Sequence, residues 1–283
     1  MRYGYTGKIL RVDLSNRKIT VDEKDEAFYR MHLGGRGIGY HYLLKEVPPL
    51  TDPFSPNNIL VLSTGVMTGA PLAASCRFSA VGKSPLTKTA VESEAGGFFG
   101  PELKQAGFDA VVFRGKAKRP VYLKIIDGKA EIKNAEHLAE LGAKEVEDAI
   151  RGEMGSQKVR VAQTGLAGMN RVLFANITNN LGHFNGRCGL GALMGDKNVR
   201  AVGALGKEKI RLFNPEFIHQ TAKNYAKTFR DNPMGDALFV YGTTAFPALL
   251  SAGGSLPVNN FRRSKLEDPS SVSGDHYNRL LLK

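Results

Sequence analysis

Residues 109–134 read DAVVFRGKAKRPVYLKIIDGKAEIKN. Three strand-like runs, DAVVFRG, PVYLKIID and KAEIKNA, follow one another with no room for a helix between them. The last two meet at Asp127-Gly128, a dipeptide that supplies the backbone angles of a tight hairpin turn. The chain is therefore β-rich at its centre, and the pattern continues outward in both directions. Towards the N-terminus, KILRVDL and KITVDEK alternate with period two around Ser15-Asn16-Arg17, a second hairpin. DEAFYRMHL reads as a helix ending at Gly34-Gly35, and another helix is expected from about Ile38 to Glu46. VPPLTDPFSPNN is a Pro-rich loop, and NILVLSTG and CRFSAVG are short strands. GGFFGPELKQAG opens on glycines and becomes a helix, with Pro101 accepted in its first turn. Towards the C-terminus, residues 142–154 form an amphipathic helix, KVRVAQTG and RVLFANI are strands, and NVRAVGALG closes the set.

A short internal echo runs through this part. FDAVVFRGKAKRPVYL is similar to NVRAVGALGKEKIRLF, and GGRGIG to NGRCGLG. Two related β-rich halves, each with a Gly-Arg-Gly corner, would explain it; chance similarity is the competing reading. After about Lys207 the character changes. Asn214-Pro215 is an N-cap and first-turn pair, followed by apolar residues at helical spacing. A further helix is expected over Thr244–Ala252, stopped by Gly253-Gly254, and GDHYNRLLLK reads as the opening of another.

The chain has 283 residues, 42% of them hydrophobic and 23% charged, with a net charge of +12. Such a surface attracts anions such as nucleic acid, anionic lipid or a phosphorylated cofactor. The basic residues are scattered singly rather than in a run, and there is no Trp, which argues against a nucleic-acid arm or stacking platform. Cys76 and Cys188 are isolated, so no zinc or cluster motif is present, and two lone thiols suit a reducing cytoplasm. The sequence shows no apolar leader and no run long enough to span a membrane.

VGKSP contains the Gly-Lys-Ser of a phosphate loop, but the glycine required five residues earlier is Arg77. GGRGIGY and GLGALMG do not fit a dinucleotide-binding fingerprint. What remains is a set of basic, glycine-rich corners: SCRFSAVGKSPLT with Arg77 and Lys83, ESEAGGFFGPELK with Gly96, Gly97 and Gly100, and GHFNGRCGLGALMG with Arg187. Glycine admits close backbone approach, helix N-termini favour anions, and Arg forks onto phosphate. Tight turns and helix packing would use the same glycines. The six histidines lie far apart in sequence, and only His183 abuts a corner. Glu92 and Glu94 share a strand face, where they could hold a cation, or Glu94 could cap the following helix. Each cysteine adjoins an Arg, with no base nearby in sequence, so small-residue packing is favoured over a nucleophile.

Read in order, YGYTGKILRVDLS, LGGRGIGYHYLLKEV, DPFSPNNILVLSTGVMTGA, CRFSAVGKSPLT, GGFFGPELKQAGFDAVVFRGKA and GRCGLGALMGDKNVRAV strongly resemble the tungsten-containing aldehyde:ferredoxin oxidoreductases over about residues 3–207. NPMGDALFVYGTTAFPALLSAGGSLPVNNF looks like the start of that family's second domain. The resemblance implies an α+β fold in which residues 1–207 form two related β-sheets that seat a cofactor, and residues 208–283 begin an all-α domain. The implied cofactor is a tungsten (sometimes molybdenum) bis-pterin whose phosphates are bridged by magnesium on backbone oxygens. By motif, its contacts fall on Arg77, Glu94, Ala95, Gly96, Gly97, His183, Phe184, Gly186 and Arg187, with the main-chain oxygens of Glu94 and Phe184 towards magnesium. Glu94 stands where Asn is common, and His183-Phe184 where other members have Arg-Ala; Arg187 is the candidate to replace the missing phosphate donor.

The family continues with a C-x-x-C-x-x-x-C segment for a [4Fe–4S] cluster and with a proton-transfer carboxylate and histidine, none of which occurs here. No catalytic residue is therefore assigned, and the expectation is an incomplete catalyst: a split subunit, a frameshifted product or a fragment. The complete enzyme would oxidise an aldehyde to a carboxylic acid and pass the electrons to ferredoxin. Expected partners are ferredoxin, a C-terminal portion or separate subunit, and a second copy in a homodimer, with no nucleic acid and no membrane, in the cytoplasm. The alternative is a non-catalytic pterin-binding or assembly subunit.

Overall fold

The structure, a computed structural model, describes residues 3–281 and falls into two compact units, Met1–Pro215 and Glu216–Lys283. The first unit is one supersecondary pattern used twice. Its first half runs β1 (Lys8–Asp13), β2 (Lys18–Glu23), α1 (Glu26–His32), α2 (Arg36–Glu46), β3 (Leu60–Thr64), β4 (Phe78–Lys83), β5 (Ala90–Ala95), α3 (Phe99–Gln105) and β6 (Ala110–Arg114). Its second half runs β7 (Val121–Ile126), β8 (Lys129–Asn134), α4 (Ala143–Glu153), β9 (Arg160–Thr164), α5 (Leu166–Met169), β10 (Ile177–Asn179), β11 (His183–Asn185), α6 (Leu190–Asp196) and β12 (Val199–Leu205).

The two sheets have the orders β2-β1-β6-β3-β4-β5 and β8-β7-β12-β9-β10-β11. In each, the first and last strands of the half pair in parallel, β1 with β6 and β7 with β12, and every other pairing is antiparallel. Even the closing bonds correspond: Leu14 N–H donates to Arg114 O at 3.0 Å, and Asp127 N–H to Leu205 O at 3.1 Å. The expected pair of related β-sheets is present in full.

Alternation along the strands builds the layers. On β3 and β6, Leu60, Leu62, Val111 and Phe113 face inward, and Val61, Ala110 and Val112 face α1 and α2. On the second sheet, Leu123, Ile125 and Val202 join the same inner core, while Tyr122, Val161 and Ala201 pack under Val146 and Ile150 of α4. The helices α3 and α6 contribute Phe99, Leu103, Leu190 and Leu193 to the shared inner core.

Three readings are corrected. RVLFANI is not a strand, because only Ile177 of it joins the sheet. Residues 171–176 instead turn under α6: Gly191 N–H donates to Ala175 O at 3.0 Å, and Thr164 Oγ1 to Asn176 O at 3.2 Å. The similarity of GGRGIG to NGRCGLG does not reflect equivalent places, since the first opens α2 and the second opens α6, whose counterpart is α3. In the second unit, the helix expected over Thr244–Ala252 is split. Pro247 has no N–H to continue it, so a 3-10 turn over Gly242–Ala245 precedes a helix starting at Pro247.

The second unit is otherwise helical: α7 (Pro215–Thr228), α8 (Pro233–Tyr241), α9 (Pro247–Ala252) and α10 (Gly274–Leu281). Asn232 caps α8, its side-chain oxygen accepting from Met234 N–H and Gly235 N–H. Leu282 and Lys283 of the expected last helix lie outside the described residues.

Candidate cofactor-binding corner

The edge strands β5 and β11 of the two sheets lie against each other. Asn185 Nδ2 donates to Ser93 O at 2.7 Å, Asn179 Nδ2 to Gly96 O at 3.1 Å, and Arg187 N–H to Ser93 Oγ at 3.2 Å. Phe98 N–H donates to Asn180 Oδ1 at 2.8 Å. Each edge strand runs on into a glycine corner and then a helix, Gly96–Gly97 before α3 and Gly186–Gly189 before α6. These corners are counterparts in the two halves, and the fold sets them side by side.

The expected site residues arrive there by different routes. Phe78 pairs with Ala95 in the β4–β5 ladder, so Arg77 stands beside Gly96 at the strand ends. A side chain at Gly96 would meet His183 Nδ1 at 3.4 Å and Cys76 Sγ at 3.7 Å. The imidazole that was remote from Cys76 in sequence is thus its neighbour across Gly96. Gly97 has φ +89 and packs directly on the Asn179 amide, so it is glycine for a protein contact. Gly186 is open, its nearest neighbour being Phe184 Cβ at 3.8 Å, and Phe184 is itself 49% exposed.

The side chain of Ala95 points into the inner core, leaving only its backbone to the corner. Glu94 does not cap α3. Its Oε1 accepts from Arg36 Nη2 at 3.0 Å, while Arg36 Nη1 lies 3.3 Å from Glu92 Oε1, so the cation these two carboxylates hold is a guanidinium. Gly189, Gly191 and Gly195 do not line a ligand surface either. A Cβ there would run into the carbonyls of Leu173, Asn176 and Gly168, and α6 is buried throughout.

Among the described residues, the side chains of Arg77, His183 and Arg187 make no ion pair or hydrogen bond. Three unpaired basic side chains around two backbone corners form an anion-attracting surface. Behind them, Asn179 Oδ1 and Asn185 Oδ1 are buried without a hydrogen-bond partner, as is Thr178 Oγ1. Buried polar atoms are rarely left so. Beside Arg77 opens a cleft of about 330 Å³ lined by Gly35, Gly65, Thr68, Ser75, Arg77 and Glu94. Gly35 caps α2 without a side-chain bond, its N–H donating to Thr64 O at 2.8 Å.

Sequence reasoning missed Gly35, Thr68, Asn179 and Asn185. The strands β3 and β9 do end on the same Thr-Gly pair, at 64–65 and 164–165, but that repeat names neither Gly35 nor Thr68. It also treated the histidines as unconnected, whereas His32 and His41 stack at 4.5 Å between ring centroids, α1 against α2. Burial and His32, with Lys45 and Lys24, push His41 below the usual imidazole range, and Asp22 opposes them.

The loop lining the cleft is held from behind by a buried amine. Lys104 Nζ donates to Gly4 O and to Gly65 O, and lies 3.9 Å from Asp109 Oδ1. Burial brings its pKa down to about 8, against the opposing pull of Asp109. Asp109 accepts from Thr6 N–H, Gly7 N–H and Tyr29 O–H.

Known proteins resemble this chain in sequence and in fold. The family profile described as aldehyde ferredoxin oxidoreductase, N-terminal domain, matches residues 9–206. The tungsten-containing aldehyde ferredoxin oxidoreductase of Pyrococcus furiosus is 40% identical over 261 residues, covering 92% of this chain and 43% of that protein. Its counterpart in Pyrococcus abyssi is 38% identical over 274 residues, covering 96% and 45%. Among solved structures, the active site complex BamBC of benzoyl coenzyme A reductase in complex with 1,5-dienoyl-CoA matches with a TM-score of 0.78 and 38% identity, over 82% of this chain and 36% of that one. The chain spans less than half the length of these relatives.

Proposed function

The chain belongs to the aldehyde ferredoxin oxidoreductase family, and on that premise we propose that the β5–β11 corner is the seat of a tungsten bis-pterin cofactor. The observation that carries this reading is the pairing of two equivalent corners with three unneutralised basic side chains. A ligand with two similar, anionic halves fits a surface with two similar, basic halves. The family's cofactor supplies two-electron redox chemistry at its metal when bound.

In this reading, Arg77 from the first half and His183 and Arg187 from the second bind phosphate oxygens. Arg77 and Arg187 do so as guanidinium forks. Gly96 and Gly186 leave the backbone accessible, and the main-chain oxygens of Glu94 and Phe184 would hold magnesium, which would neutralise phosphate charge there. The Arg36 clamp on Glu92 and Glu94 neutralises two carboxylates that would otherwise repel the ligand. The unpartnered oxygens of Asn179 and Asn185 lie directly behind this surface as acceptors with no protein donor.

The whole protein would convert an aldehyde to a carboxylic acid and deliver electrons through a [4Fe–4S] cluster to ferredoxin. Cys76 and Cys188, the only cysteines here, are too few to hold that cluster, which takes four thiolates. Catalysis accordingly needs residues beyond this chain.

The test is to produce the chain in a host that makes the tungsten cofactor and to measure bound tungsten and pterin. The expected result is retention by the wild type and a loss of about tenfold or more in Arg77→Ala/Arg187→Ala, with the fold unchanged by circular dichroism. Equal cofactor content in both proteins would overturn the assignment. Aldehyde oxidation by the chain alone would overturn the need for further residues.

A further inference from the structure

A second basic cleft, of about 250 Å³, opens on the other side of the Gly65–Val66 loop, between the N-terminal segment and the stretch that follows β12. Tyr5, Lys8, Lys104, Glu208, Lys209 and Arg211 line it. The segment is pinned in place: Gly4 N–H donates to Arg211 O at 2.9 Å, Glu208 N–H to Gln105 O at 3.0 Å, and Gly206 N–H to Glu102 Oε1 at 2.9 Å. The cleft is therefore a fixed concavity within the first unit.

We propose that this cleft binds a phosphate group, free or esterified, at a site separate from the cofactor corner. Four cationic residues, Lys8, Lys104, Lys209 and Arg211, line one concavity, and Glu208 is the only carboxylate among its lining residues. The nearest other acid, Asp109, is fully committed to Thr6, Gly7, Tyr29 and Lys104. Among the described residues, Lys8, Lys209 and Arg211 make no ion pair, although neighbouring lysines do: Lys207 with Asp127 at 3.2 Å and Lys24 with Asp22 at 3.0 Å.

Like charges gathered in a concave site repel one another until an anion sits between them. Donors arriving from several directions, one of them a planar fork, suit the tetrahedral oxygens of phosphate better than a flat carboxylate. At the floor, Lys104 is 2% exposed and its Nζ is committed to Gly4 O and Gly65 O, so it adds positive charge behind the site while Lys8, Lys209 and Arg211 supply the donors.

The experiment is a titration of the full chain with orthophosphate and then with glycerol 3-phosphate at constant ionic strength. Binding is followed by calorimetry and by thermal unfolding. Saturable binding is expected for the wild type. In Lys209→Glu/Arg211→Glu, and in the milder Lys209→Gln/Arg211→Gln, the half-saturating concentration should rise about tenfold or more. Because the corner also takes phosphate, the two cleft variants are repeated in the Arg77→Ala/Arg187→Ala background, where the remaining saturable binding should again weaken about tenfold or more, and Lys223→Glu on α7 controls for net charge. An unsaturable response overturns the proposal, as does an unchanged midpoint in both cleft variants, or the loss of all saturable binding in Arg77→Ala/Arg187→Ala. Binding of orthophosphate alone identifies the free ion as the ligand, and binding of both identifies a phosphate-ester site.

Discussion

A methyl group at Gly191 would be driven into the carbonyl of Asn176, whereas one at Gly186 would meet only Phe184 Cβ at 3.8 Å. Gly191→Ala should therefore destabilise the fold by about 3 kcal/mol through forced displacement of the 173–176 turn. Gly186→Ala should change stability by less than about 0.5 kcal/mol and act on cofactor retention instead. Urea unfolding of both variants checks this, and equal losses would mean that the two glycines share one role.

The composition of HFNGRCGLGALMG announced a glycine-dependent structure, but it could not separate glycines that face a ligand from those that face a carbonyl. The same limit hid the partner of Glu92 and Glu94, because Arg36 lies far away in sequence and only the α2–β5 packing joins them. Lys197 gives a pH-dependent case. It is 1% exposed, donates to Asn58 O and Gly115 O, and burial lowers its pKa to about 7. The folded state therefore binds fewer protons than the unfolded state between about pH 7 and the ordinary lysine value. Stability should rise with pH across that window, by at most about 1.4 kcal/mol per pH unit. Lys197→Met should flatten that slope in denaturation measured from pH 7 to 10, leaving the part due to Lys104, even if it lowers stability overall by stranding two carbonyls.

The elements that carry the corner are short: β10 and β11 have three residues each. Their turn holds Asn180 at φ +49 and Leu181 at φ +56, a conformation in which leucine is strained. Leu181 is also 43% exposed, so it recovers little of that strain by packing. Leu181→Gly should stabilise the first unit by about 1 kcal/mol, read as a higher urea midpoint at unchanged slope. A lower midpoint would show that the exposed leucine packs more strongly than its surface suggests.

The hairpins β1–β2 and β7–β8 were legible in the sequence because alternation and turn chemistry agree there. The run RVLFANI was misread because its residue types are those of a strand. What overrides them is the demand of α6 for free carbonyls along the same stretch, and that demand is tertiary. The helix of Thr244–Ala252 failed at Pro247 for a local reason, which the missing N–H could have disclosed.

At the scale of the whole first unit, the repeat was visible only in fragments. The echo of β6 in β12 was real, and the echo of the glycine corners was matched to the wrong partner. The parallel pairs β1–β6 and β7–β12 join strands about a hundred and about eighty residues apart, so no local pattern announces them. The duplicated topology raises a question of independence, and packing answers it. Leu10, Leu62, Phe78 and Phe113 of the first sheet share one inner core with Leu123, Ile125, Ile177 and Val202 of the second. Polar ties cross the same boundary: Asn185 to Ser93, and Lys197 to Asn58. Each half alone would leave a full sheet face of apolar side chains in water, which favours aggregation or a loosely packed state.

The connection between the halves passes through Lys118 and Arg119, and Lys118 is exposed. Cutting there should test the dependence without touching the core. Residues 1–118 alone should lack a cooperative unfolding transition and bind a hydrophobic dye. Mixing them with residues 119–283 should restore a single sharp transition whose midpoint depends on concentration, because the joined halves gain the shared core only by association. Cooperative unfolding of residues 1–118 alone, at a midpoint near that of the mixture, would mean that each sheet is self-sufficient. In that case the β5–β11 contact would be a docking of two finished domains, and the corner between them would be free to open without disturbing either fold.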